Sequence, residues 1–84
     1  MKNAKTISVV YDAMLYLRGR GVVDRVKRND EVLALVAFDD LSKEAYDDDF
    51  GKGQYVVSLL ENWFDEKGRL IYAKSLKYLE IERN

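Results

Sequence analysis

The sequence predicts a small α+β fold in the order α-β-β-α-α-β, with the helices packed on one face of a small sheet. Three observations carry that expectation. Apolar residues recur at helical spacing over 5–18 and again over 54–66; the run Val32-Leu33-Ala34-Leu35-Val36-Ala37-Phe38 is unbroken and partly β-branched; and Leu79 and Ile81 alternate with Glu80 and Glu82. A period near 3.6 lines one side of a helix, a period of two lines one side of a strand, and a short continuous run suits a strand covered on both faces. The 84 residues suffice for one domain with a single core. The expected unit is therefore 1–84, frayed at 1–4 and 83–84.

The first helix is expected over 5–18, where Ile7, Val10, Tyr11, Met14 and Leu17 share a face and Gly19 and Gly21 follow as stops. A β-hairpin is expected over 22–38. Val22 to Arg28 forms its more polar edge strand, Asn29-Asp30 its turn and Val32 to Phe38 its inner strand; a helix through 24–37 is the alternative. Asp39 and Asp40 then offer an N-cap to a short helix over 41–47. Over 54–66 the residues Val56, Val57, Leu59, Leu60, Trp63 and Phe64 give a broad helical stripe, with Trp63 and Phe64 read as core and Gly68 as the stop. The tail from Leu70 to Glu82 is read as a strand, with a break near Lys74-Ser75.

Composition narrows the chemistry. The chain is 48% apolar and 35% charged, close to folded proteins in the first and above their average of about 25% in the second, which argues for a folded domain. There is no Cys and no His, so thiolate nucleophiles, imidazole proton shuttles and the usual single-chain zinc, iron or copper sites are not expected. A small domain without disulfide staples suits an intracellular, cytoplasmic setting. The longest apolar run has seven residues, Val32 to Phe38, where a membrane span needs about 20. Asp12 interrupts the apolar stretch after Lys2 and Lys5, which argues against a secretory signal.

Candidate motifs fail on spacing. A calcium loop starting at Asp47 would need glycine at its sixth position and glutamate at its twelfth, where Lys52 and Ser58 stand. Gly51-Lys52-Gly53 lacks the spacing of a P-loop, and Gly19-Arg20-Gly21 lacks the third glycine of a dinucleotide fingerprint. No catalytic or metal-binding residue is assigned, no cofactor is expected, and the chain is read as a non-enzyme.

Charge is segregated: residues 1–28 carry a net +5, residues 29–66 a net −9 and residues 67–84 a net +3. Such asymmetry can mark binding faces if the segments stay apart once folded. The favoured site is the acidic–aromatic loop with Tyr46, Asp47, Asp48, Asp49, Phe50, Lys52 and Tyr55, in which aromatics anchor and carboxylates steer toward a cationic partner. The alternative is a single-stranded nucleic-acid surface formed by Arg18, Arg20, Arg25, Lys27 and Arg28. The expected element order is similar to that of type II KH domains, which bind single strands through a Gly-x-x-Gly loop; here the corresponding loop has only Gly51-Lys52-Gly53 behind three aspartates. The short, charged, tyrosine-containing and cysteine-free chain is also similar in type to small modulators encoded by phages or mobile elements. The expected function is thus a small interaction protein, a regulator or inhibitor docking on a larger protein or nucleoprotein complex, with a homodimer through the C-terminal strand as a further possibility.

Overall fold

The computed structural model describes residues 8–47 and 50–84, and its architecture overturns the expected one. The order is β1 (Ser8–Leu17), β2 (Gly21–Arg28), α1 (Glu31–Glu44), β3 (Gly53–Phe64) and β4 (Leu70–Arg83). The strands form one antiparallel sheet in the order β2-β1-β3-β4. Among the described residues one helix, not three, packs on one side of it, against β1, β2 and β3. With the order ββαββ, the likeness to type II KH domains falls away.

Both expected helices at 5–18 and 54–66 are strands within the described residues, for the same reason. In β1, Ala13, Leu15 and Leu17 face the helix and are buried, while Val10, Met14 and Tyr16 face the other way. In β3, Tyr55, Val57 and Leu59 are fully buried, and Val56 and Leu60 occupy the opposite face. Central strands with apolar residues on both faces lose the alternation of two that identifies a strand, and what remains mimics a helical stripe. Gly19 and Gly21, at φ 88° and 99°, shape the β1–β2 turn rather than a helix end.

The 22–38 hairpin is half correct. Val22 to Arg28 lies in β2, but Val32 to Phe38 is the first half of α1, and the 41–47 segment is that helix's end rather than a helix of its own. Asp30, not Asp39 or Asp40, is the N-cap: its Oδ1 accepts from the Leu33 amide at 3.1 Å. Glu31 in the first turn and Lys43 in the last complement the helix dipole. The tail is a strand, as read. One of its two irregularities falls beside the expected break, where Leu59 faces Lys77 and the adjacent Leu60 faces Ser75. Arg83, read as part of a frayed end, is the last paired residue of β4, and its guanidinium donates to the carbonyls of Ala45 (3.2 Å) and Asp47 (2.7 Å) just past α1.

The core is the layer between α1 and the sheet. Ala34, Ala37, Phe38, Leu41 and Ala45 meet Ala13, Leu15, Leu17, Tyr55, Val57, Leu59 and Ile81. Trp63 and Phe64, read as core, are only half-buried; Trp63 stacks edge-on to Tyr72 at 5.2 Å and donates to Glu61. Gly53 opens β3 at φ 144°, and a Cβ there would stand 2.7 Å from Leu17 Cδ1, so only glycine lets β3 enter beside β1. The radius of gyration is 14.8 Å, against about 12 Å for a compact chain of this length. A sheet covered on one side by one helix leaves much surface to solvent.

Candidate interaction surface

The five cations of the expected nucleic-acid surface lie on the β1–β2 hairpin but do not act as a set. Arg25 is committed: its Nε donates to both carboxylate oxygens of Asp12 (2.9 and 3.1 Å) and its Nη2 also bonds Asp12 Oδ2. Asp12 is 3% exposed although it points to the face without a helix, because the guanidinium covers it. That bond also raises the Arg25 pKa. Arg18 donates to Gln54 Oε1 at 2.8 Å. Arg28 turns to the helix side and donates to the Lys27 carbonyl at 2.8 Å. Arg20 and Lys27 are exposed and carry no ion pair among the described residues.

The acidic–aromatic loop is also divided. Asp48 and Asp49 lie outside the described residues. Tyr55 is no contact residue: it is fully buried in β3, with its hydroxyl donating to the Gly51 carbonyl at 2.7 Å. Phe50 is half-buried against the core. Tyr46, Asp47 and Lys52 are exposed, leaving Tyr46 as the one exposed aromatic among the described residues of the loop.

A different surface stands out. On α1 the buried stripe is Ala34, Ala37, Phe38 and Leu41. Around the rest of its first two turns, Val32 (68% exposed), Leu33 (54%), Val36 (52%) and Leu35 (36%) meet solvent. A helix apolar all round normally lies buried in a core or an assembly, and a contiguous exposed apolar patch is the informative exception to surface composition.

One flank of this patch slopes into a groove of about 220 Å³ between α1 and β2. It is lined by Leu33, Val36, Ala37, Leu41 and Val26 together with Asp24, Asp40, Glu44 and Arg28; along α1 the apolar Leu33 and Val36 come one to three turns before Asp40 and Glu44. Burial first, then the adjacent Asp24 carboxyl and the charges of Asp24 and Asp47, push the Glu44 carboxyl up to about 7. The groove brings one cation of the N-terminal segment, Arg28, alongside acids from the middle of the chain, so the charge segregation seen in sequence survives only in part.

Beside the groove, β2 is an edge strand whose polar groups are engaged by its own side chains. The Arg25 amide donates to Asp24 Oδ1 at 2.7 Å, and the Lys27 carbonyl accepts from Arg28. Such self-capping, with dense charge, opposes strand addition. At the far edge, β4 pairs with β3 through two register shifts, and bulges of this kind work against the symmetric pairing a C-terminal strand dimer needs.

The sequence reading missed Val32, Leu33, Leu35 and Val36 as surface residues, and with them Asp24, Asp40 and Glu44. The signal was present in the helical alternative for 24–37: on a helical wheel, seven consecutive apolar residues are more than one buried stripe can use. Compared with family models, curated proteins and solved structures, the chain matches none. Among the described residues no helix is long and apolar enough to cross a membrane.

Proposed function

We propose that this chain is a non-enzymatic interaction protein, a small regulator or inhibitor that docks on a larger protein in the cytoplasm, and that the outer face of α1 is its contact surface. The observation that supports this reading is the exposure of Val32, Leu33, Leu35 and Val36 on a helix whose buried stripe is already complete without them. Removing apolar surface from water is the main favourable contribution to most protein association. Leaving four of them in water costs a monomer solubility and gives its own fold nothing.

A Val32→Ser/Val36→Ser double variant tests the proposal. Both positions are more than half exposed, so the melting temperature should hold within a few degrees. In affinity capture from the cells that make the protein, a partner retained by the wild type should be lost with the double variant. An unchanged set of retained proteins would remove α1 as the contact face.

A further inference from the structure

The groove beside the exposed apolar face has a chemistry that selects what enters it. Its volume of about 220 Å³ is below the roughly 300–1,000 Å³ of small-molecule sites, so it fits an inserted side chain better than a free ligand. Its lining includes the aliphatic Val26, Leu33 and Val36 and carboxylates from two elements, Asp24 on β2 and Asp40 and Glu44 on α1. The Asp24 and Glu44 carboxyls act on one another, and neighbouring like charges raise each other's energy. Arg28, the cation lining the same groove, donates to its neighbour's carbonyl and forms no ion pair among the described residues.

We infer that this groove seats an arginine side chain of the partner protein, its methylene stem along Leu33 and Val36 and its guanidinium at Asp24, Asp40 and Glu44. The inference rests on the proposed docking through α1 and names what the partner presents there. An aliphatic stem carrying a charged head matches a site that is apolar along its length and anionic at one end. A planar guanidinium with five donors serves several carboxylates at once, where an ammonium acts as a compact, strongly hydrated point charge.

The test uses the whole chain and three blocked tripeptides, Ac-Gly-Arg-Gly-NH2 and its lysine and citrulline counterparts, titrated while backbone amide NMR signals are followed. The arginine peptide should shift the signals of Asp24, Val36 and Glu44 saturably, the lysine peptide several-fold more weakly and the uncharged citrulline peptide not at all. Asp24 on β2 and Asp47 in the turn beyond α1 act on Glu44, and Arg28 on β2 and Asp40 on its own helix line the same groove. Its proton must leave before a guanidinium pairs with it, so arginine affinity should fall by up to about tenfold from pH 8 to pH 6. Glu44→Gln should weaken binding and flatten that dependence. Equal shifts from citrulline or lysine, or none from arginine, would overturn the assignment. If the arginine peptide fails while Val32→Ser/Val36→Ser still abolishes partner capture, docking through α1 stands and only the arginine is lost; if the peptide binds and capture is unchanged, the reverse holds.

Discussion

The two ends of α1 do different work. In the C-terminal half, Ala37, Phe38, Leu41 and Ala45 lie on the sheet, and the positions turned to water are Asp39, Asp40 and Lys43. That half is an ordinary amphipathic helix, and Arg83 secures the turn beyond it. Over 31–36, Ala34 alone is buried, while Val32, Leu33, Leu35 and Val36 are exposed. Apolar character therefore has two meanings within one helix. Where it is matched by the sheet it stabilises the fold, and where it is unmatched it offers a surface to another molecule.

The largest effect that can test this contrast is expected at Leu41, which is 2% exposed. Leu41→Ala should cost about 2–5 kcal/mol by lost transfer energy and cavity formation, read as a drop in the urea midpoint; a cost below 1 kcal/mol would mean that α1 is not fastened by its C-terminal half. A smaller loss is expected at the other end. Asp30→Ala removes the acceptor for the Leu33 amide and should cost about 1 kcal/mol, with local hydrogen exchange accelerated in the first turn. The Val32→Ser/Val36→Ser pair should change stability by no more than about 0.5 kcal/mol per site while losing partner binding.

Two further effects concern pH and separate two carboxyls. Glu44 has a folded pKa of about 7, above its ordinary 4.5, so the folded state holds a proton that the unfolded chain has released. Stability should fall as pH rises through that interval, and Glu44→Gln should remove the slope. Asp65 behaves in the opposite sense. Its Oδ1 accepts from the Arg69 amide (2.8 Å) and the Lys67 amide (2.9 Å), while Arg69 Nε bonds its Oδ2 (3.0 Å); the bond from the Arg69 amide is the leading cause of its lowered pKa. Its contribution is present above the ordinary aspartate range near pH 4 and is lost as pH falls through the lowered value. Asp65→Asn should remove that acid-side loss in a melting series from pH 2 to 5.

Part of the local grammar was legible in the residues. Val22 to Arg28 was read as a strand and so was the tail from Leu70, and both are strands. Gly19 and Gly21 were expected to end a helix and Asn29-Asp30 to turn a hairpin; elements do change at both places, but the first is a β–β turn and the second leads into α1. The errors at β1, α1 and β3 share one physical cause. A side-chain pattern reports burial, and burial depends on what lies on each face. Val56, Val57, Leu59 and Leu60 read as a helical stripe because both faces of a central strand are apolar, and Val32 to Phe38 read as a strand because more of the helix is apolar than one sheet can cover. The candidate site inherited these errors: Tyr55 was assigned to contact because its loop looked exposed, whereas β3 carries it into the core.

By itself the sequence determined which residue chemistries the chain lacks, with neither thiol nor imidazole to act, and where elements end, since glycine and Asn-Asp positions interrupt regular structure through backbone sterics and local hydrogen bonding alone. Only the tertiary structure decided which apolar residues are buried. Pairing β1 with β3 consumes Leu15, Tyr55 and Val57 in the core, while a single helix is too narrow to shelter Val32, Leu33 and Val36. Packing is a relation between distant segments, and no local pattern along the chain contains it.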